Sequence, residues 1–439
     1  MRRFVSPPER RLPDRYARRH AWSAGDGPPH KSSDTRSEGE RDRDRVLYSS
    51  AFRRLAGITQ VVSPGDGAAI HNRLSHCLKV GQVARAVASR LGVAKEGIDP
   101  LVAEAAAFAH DLGHPPFGHV SERVLGELAR RVGLTDGFEG NAQSFRIVTV
   151  LAARDSRWPG LNLCRATLDA LLKYPWRWED GERKWGAYQS EAADFRFARD
   201  GHSGRERCDE AEIMDWADDV TYAVHDVEDF FRAGLIPLDR LVGPGSGTER
   251  EAFVDGVLNA RASIPAWEGH RIGSDRLMEG LERVLVEMAP AIDQPFAGSR
   301  SERARLRSFT SALIGRYIHS GLAIDERGNL CRDPQQADEV VIMKEMTWRY
   351  VITDARLASQ QEGHRRIIRT LFDFFGEQVR GDDPGIPPGY RDALASADDE
   401  HSRLRVAVDI VAGMSEAHAL RLHRRLSGVD FGALVERLG

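Results

Sequence analysis

The sequence predicts an all-α protein, and three observations predict it. Apolar residues recur at helical spacing in one segment after another, as in 74–92, where Leu78, Val80, Val83, Ala84, Val87 and Leu91 fall on that period. Segments of this kind carry helix stop and start residues at their ends. Short alternating runs are scarce, and no convincing hairpin signal stands out.

In chain order, residues 1–40 are rich in Arg, Asp, Ser, Pro and Gly and are expected to form a flexible, Arg-rich tail, part of which an oligomer interface could borrow. "RDRDR" (41–45) alternates charge, which reads as the solvated face of a helix running into "VLYSSAFRRLAGITQV". The 74–92 helix stops at Gly92. The 99–113 helix opens with an Asp cap and a Pro at its first turn, runs alanine-rich, and is expected to end at Pro115 and Pro116. So many alanines let helices approach closely, so this one is expected to be central. An amphipathic helix follows at 121–133, with others at 163–173, 208–232, 274–290, 302–319, 335–350, 362–380 and 404–427. "GDDPGIPPGY" (381–390) reads as a loop. The domain expectation is therefore a tail (1–40), a helical core (41–380), and a loop with a C-terminal helical segment (381–439). No repeat recurs at a fixed period.

Bulk properties narrow the class. The 439 residues are 41% hydrophobic and 29% charged, enough for a sizeable core. Length alone suggests two or three domains, or one large helical body. A net charge of −4 and a pI near 6.5 do not fit a strongly basic nucleic-acid binder. Four scattered cysteines without a CxxC pair suggest neither a zinc ribbon nor a disulfide framework, and fit a reducing cytoplasm. No apolar run reaches transmembrane length, and the N-terminus lacks the apolar segment of a secretion signal.

"AHDLGHPPFGH" (109–119) carries the chemistry. His110 and Asp111 point about 100° apart on a regular helix, yet can share an ion beyond its end. Pro115 forces His114 out of helical geometry. His119 and Glu122, three apart, share a face. A single loop histidine is more often just hydrogen-bonded to backbone; a His-Asp pair with two further histidines and a carboxylate reads as a site. His76 could join from "RLSHC". In 208–232, Asp215, Asp218, Tyr222, His225, Asp226 and Asp229 fall within roughly a 100° sector. The commoner reading of such a face is a solvated acidic surface. Interleaved Tyr and His, with almost no Lys or Arg, favour the lining of a cation-binding cleft.

His76, His110–Asp111 and Asp218 match the ligand order of the HD superfamily of metal-dependent phosphohydrolases. The surrounding "RDRDRVLYSSAFRRLAGITQV", "HDLGHPPFGH", "GFEGNAQSFRI", "GLNLCRATLDALLKYPW", "ADDVTYAVHDVED" and "LIGRYI" resemble the bacterial deoxynucleoside triphosphate triphosphohydrolases, the dGTPase and dGTPase-like group. That similarity runs from about residue 40 to about 375. The resemblance implies an all-helical HD fold that hydrolyses a dNTP to deoxynucleoside and inorganic triphosphate by water attack at the α-phosphorus. It implies that His76, His110, Asp111 and Asp218 hold one divalent ion (Mn²⁺, Mg²⁺ or Fe²⁺), that His119 is the acid–base group paired with Glu122, and that His114 contacts the α-phosphate region. Lys173 and Tyr174 would reach the triphosphate, Tyr222 would stack near the sugar and disfavour a 2′-hydroxyl with Asp226 beside it, and Gln60 and Arg73 would contact sugar and phosphate. Arg53 and Arg54 are further candidates for the phosphate tail, or ordinary helix-surface residues. The resemblance also implies a homo-oligomer (tetramer or hexamer) and a second, effector dNTP site.

Two other functions stay open: an HD phosphodiesterase or nucleotidase acting on another nucleotide, and a regulatory nucleotide- or nucleic-acid-binding protein. The arginines of the tail keep nucleic-acid binding open as a secondary activity.

Overall fold

The computed structural model describes residues 14–20, 34–60, 71–179, 181–202, 204–243, 245–262, 273–292, 294–353, 355–381 and 385–430. The helices are α1 (Glu38–Leu47), α2 (Ser50–Arg54), α3 (Arg73–Leu91), α4 (Pro100–Ala109), α5 (His119–Arg131), α6 (Gly140–Arg146), α7 (Arg165–Ala170), α8 (Ala192–Ala198) and α9 (Asp209–Arg232). They continue as α10 (Leu238–Val242), α11 (Gly247–Ala262), α12 (Ser274–Met288), α13 (Arg300–Ser320), α14 (Pro334–Thr347), α15 (Ala355–Gln378), α16 (Arg391–Ala395), α17 (Glu400–Ala412) and α18 (Glu416–Leu426). The all-α expectation holds. It misses one short antiparallel hairpin, β1 (Leu322–Ile324) with β2 (Leu330–Arg332). Three-residue strands show too little alternation to read, and their turn is set locally, Asp325 Oδ1 accepting from the Arg327 and Asn329 amides. The expected helix at 404–427 is two helices, α17 and α18, parted at 413–415.

The site is carried by a central trio. Helices α3, α4 and α9 pack through Val80, Ala84, Val87, Ala103, Ala106, Ala107, Ala217 and Val220, all without exposure. Small residues set the approach: a Cβ added at Gly81 would lie 2.2 Å from the Phe108 ring. Asn72 caps α3 by accepting from the Ser75 amide, and Asp99 caps α4, with Pro100 at the first turn.

Three expectations fail for one physical reason, that buried polar groups found partners distant in sequence. The alternating charges of 41–45 are not a solvated face: Asp42 has no exposure and Arg45 is buried. Asp42 is held by Arg18 at 2.6 Å and by the Cys164 amide at 2.7 Å. The tail expected to be flexible is therefore docked at 14–20, where Tyr16 also donates to Asp99 at 2.9 Å; tail residues 1–13 and 21–33 lie outside the described residues. The boundary drawn at 380 does not separate two bodies either. Apolar residues of α15, α17 and α18 share one cluster with Val124, Leu125 and Leu128 of α5. Beneath it Asp409 accepts from Arg146 at 2.8 Å and from Gln143 at 2.8 Å, while Arg405 pairs with Asp136.

Removing one partner of a buried ion pair leaves the other charge uncompensated. Asp409→Ala is expected to cost about 3–5 kcal/mol of stability, read from urea unfolding of the whole chain.

Candidate active site

The site forms where α4 stops early. The helix ends at Ala109 rather than at the prolines, and 110–114 continues as tight turns. Its freed backbone groups are satisfied from outside. The Ser144 hydroxyl donates to the His110 carbonyl at 2.7 Å and accepts from the Gly113 amide at 2.9 Å. Arg54 donates to the Leu112 and His114 carbonyls at 2.6 and 2.9 Å. Gly113 admits no side chain, since a Cβ there would sit 2.1 Å from the Gly140 carbonyl oxygen. The turn aims His110, Asp111 and His114 at the first turns of α3 and the middle of α9.

His76, His110 and Asp111 offer donor atoms that lie within 4.8 Å of one another. Asp218 Oδ1 joins them, 3.0 Å from His76 Nε2 and 3.5 Å from His110 Nε2. His110 Nδ1 sits 2.6 Å from the Ala107 carbonyl, which fixes the proton there and leaves Nε2 facing the cluster, buried and without a hydrogen-bond partner. Two imidazoles and two carboxylates around an unpartnered nitrogen suit a divalent cation. Burial opposes charge on Asp111, but Arg73, 2.5 Å away, and the imidazoles outweigh it and hold the carboxyl well below its usual range. Burial likewise opposes charge on Asp218, and Lys173 and His110 outweigh it.

Beside this cluster His119 Nδ1 lies 3.0 Å from Glu122 Oε2, and its side chain is 72% exposed. The Glu122 carboxylate also receives Lys184 at 2.9 Å, and Lys184 bridges on to Glu139 at 2.8 Å. Burial raises the cost of charging Glu122, yet His119 and Lys184 keep it well below the usual carboxylate range. His114 stands between the two groups, 3.1 Å from Asp111 Oδ1 and edge-on to His119. Burial and then Arg73 push its pKa down to about 3, so the ring is neutral. Phe117 enters α5 with φ 66°, followed by Gly118 at φ 60°; a left-handed residue other than glycine costs about 1–3 kcal/mol.

The remaining predicted residues stand around the same space. Lys173 is 2.7 Å from Asp215 and 3.2 Å from Asp218. Tyr174 is half-buried against the edge of Trp176. Tyr222 and Asp226 lie one and two turns beyond Asp218 on α9, with Asp226 Oδ2 buried and unpartnered. Gln60 is half-buried with its side-chain carbonyl unpartnered, and its backbone oxygen is 3.5 Å from Arg73. The acidic face of α9 is not solvated: Asp215, Asp226 and Asp229 are all buried. Of the two arginine candidates, Arg53 is exposed and Arg54 is committed to backbone carbonyls. Sequence reasoning did not find Lys184, Glu139, Ser144, Arg207 or Arg332. Each has a site partner that its own element does not announce: Lys184–Glu139, Ser144–His110, Arg207–Asp215 and Arg332–Asp215 are 45, 34, 8 and 117 residues apart.

A buried His/Asp cluster at the junction of three helices, with a histidine–carboxylate pair and lysines at its edge, is the arrangement of an HD-type phosphohydrolase. The HD domain profile matches residues 73–223, and the phosphohydrolase-associated domain profile matches 330–425, across the boundary expected at 380. A deoxyguanosinetriphosphate triphosphohydrolase-like protein of Corynebacterium efficiens is 39% identical over 424 residues, 91% of this chain and 94% of that protein. A protein of the same description from Streptomyces coelicolor is 38% identical over 414 residues, covering 89% and 92%. One from Mesorhizobium japonicum is 33% identical over 420 residues, 94% of each. The chain belongs to this family of HD-domain, deoxyguanosinetriphosphate triphosphohydrolase-like proteins. Among the described residues, no helix is long and apolar enough to cross a membrane.

A cation that binds only the folded chain stabilises it by mass action, about 2.7 kcal/mol at a hundredfold excess over its dissociation constant. Mn²⁺ is expected to raise the thermal unfolding midpoint of the wild type. Asp111→Ala and Asp218→Ala are expected to lose that rise, together with the ion in equilibrium dialysis.

Proposed function

We propose that the chain hydrolyses deoxynucleoside triphosphates to deoxynucleoside and inorganic triphosphate, by water attack at the α-phosphorus. The observation that carries this reading is a four-donor His/Asp cluster lying beside an exposed His119–Glu122 pair, with Arg73, Lys173 and Lys184 on the same space. A divalent ion (Mn²⁺, Mg²⁺ or Fe²⁺) held by His76, His110, Asp111 and Asp218 would withdraw charge from the phosphoryl oxygens.

The roles of the chain's own groups follow from their settings. Glu122 accepts from His119 Nδ1, so in the imidazolium form it is the Nε2 proton that passes to the departing 5′-oxygen, leaving the neutral ring with its proton on Nδ1. Neutral His114 adds a hydrogen bond at the α-phosphate without a fixed charge. Lys173, Tyr174 and Arg73 take the triphosphate oxygens. Tyr222, with Asp226 beside it, walls the sugar where a 2′-hydroxyl would stand, and Gln60 presents its unpartnered carbonyl to the sugar. A homo-oligomer (tetramer or hexamer) completes this reading, checked by light scattering.

Products resolved by anion exchange, for each dNTP alone and mixed with Mn²⁺ or Mg²⁺, test the reaction. Triphosphate plus deoxynucleoside is expected, lost in Asp111→Ala. His119→Ala is expected to slow turnover by roughly 10²- to 10⁴-fold while still binding the ion. Orthophosphate from monophosphates instead would favour the nucleotidase alternative.

One cavity favours the effector expectation. A cleft of about 790 Å³, a volume that suits a nucleotide, lies between 14–18 and α1. It is lined by Arg18, Arg36, Arg41, Arg45, Arg154 and Tyr48, and also by Asp34, Glu38 and Asp44, which pair with three of those arginines. Arg45 Nε is buried without a partner, and Arg154 is exposed along the same cleft. Arg154→Glu is expected to abolish stimulation of one dNTP's hydrolysis by another while leaving unstimulated turnover within about twofold, consistent with a surface substitution away from the site.

A further inference from the structure

We propose that the C-terminal helices complete the catalytic loop, with Glu416 as the positioning residue that sets where His119 stands. This rests on the reading of His119 as the acid–base group. Glu416 is the first residue of α18, held there by the Ser415 cap. Its Oε1 accepts from two backbone amides of distant loops, Thr59 at 2.9 Å and Phe117 at 3.1 Å. Its Oε2 accepts from the Thr59 hydroxyl at 2.7 Å. Thr59 adjoins Gln60, and Phe117 is two residues before His119. A single carboxylate therefore ties the loop assigned to the sugar to the loop assigned to proton transfer.

The need for such a tie is visible at the second loop. Phe117 holds a left-handed backbone that its side chain disfavours, so something outside the loop must maintain it. Its amide is fixed by Glu416, and its ring stacks on His364 of α15 at 4.1 Å and 13°. His119 is mostly exposed, so it draws little positioning from packing; the backbone entering α5 and the contact with Glu122 determine where its ring points. On the other side a Cβ added at Gly57 would lie 2.9 Å from Ser415 Cβ, so α18 and the first loop are already in contact.

The test compares full-length, Mn²⁺-loaded wild type with Glu416→Ala, Glu416→Asp and Glu416→Gln, by dNTP turnover, Mn²⁺ binding and hydrogen exchange of peptides spanning 55–60 and 115–122. Glu416→Ala is expected to lower kcat roughly ten- to a hundredfold, as a displaced catalytic group does, with Mn²⁺ affinity unchanged. Exchange should quicken in those two peptides while α3 and α9 keep their protection. Glu416→Gln keeps an acceptor oxygen for the two amides and is expected to recover most of the loss. Glu416→Asp, too short to reach both loops, is expected to fall between; it decides the matter should the alanine protein not fold. A kcat within twofold of wild type in the alanine or aspartate protein would overturn the proposal, as would equal loss of protection in α3 and α9. If the wild type hydrolyses no dNTP, the functional reading fails, and the exchange of the two peptides still decides the tie.

Discussion

The site depends on an arginine whose hydrogen-bond partners are backbone carbonyls and none of the four candidate ligands' side chains. Two adjacent residues, His110 and Asp111, point about 100° apart on a regular helix; α4 stops at Ala109 and turns, and both reach one cluster with His76. Stopping a buried helix exposes carbonyls that must be satisfied. Arg54 satisfies them: it donates to Leu112 and His114 on one side and to Ala412 and Met414 on the other, at 2.6–3.2 Å. Burial, with no carboxylate against it, pushes the guanidinium down to about 10, so it remains charged at neutral pH. The end of α17 and the 110–114 turn are thus held by one planar group, and neither can shift without leaving its carbonyls and the Arg54 donors unpaired.

The same economy governs the acids. A buried carboxylate is tolerable when cations and donors surround it. Asp215 is shared by Lys173, Arg207 and Arg332, and Lys173 in turn reaches Asp218. Arg332 comes from β2, and Lys344 of α14 pairs with Asp219. The acidic side of α9 is therefore neutralised from three other parts of the chain, which is why the phosphohydrolase-associated region packs on the HD core instead of hanging from it.

What was legible in the sequence follows from this. Helices α3, α5 and α9 are predicted to within two residues, because an apolar stripe at helical spacing is a local signal. The residues of the His/Asp cluster are legible because histidines and acids crowd one short stretch. The charges of 41–45 misled because their partners, Arg18 and the Cys164 amide, are remote. Lys184 sits in a loop with no periodicity at all, and nothing in its neighbours announces that it bridges Glu122 and Glu139. The end of α4 was misplaced because proline marks where a helix cannot continue, not where tertiary contacts make it stop.

Helix α9 shows why an acidic face needs its missing cations read as well as its acids. A solvated face is stabilised by Lys or Arg one turn away on the same helix. From Asp209 to Phe231 this helix has none, and only Arg232 closes it. With no internal cations, the acids either repel one another in water or take partners from elsewhere. Four of them, Glu210, Asp215, Asp226 and Asp229, are buried and so withdrawn from bulk water. Arg207, Lys173, Arg332 and Lys344 supply the charge around Asp215, Asp218 and Asp219, while Asp226 is left with an unpartnered oxygen and burial holds its carboxyl well above the usual range. Burial with Asp229 nearby thus disfavours charge on Asp226, whereas Lys173 and His110 favour charge on Asp218, the carboxylate that joins the His76–His110–Asp111 cluster. One helix thus presents two carboxyl groups two turns apart whose acidities are displaced in opposite directions, and the difference lies in which remote groups reach each of them.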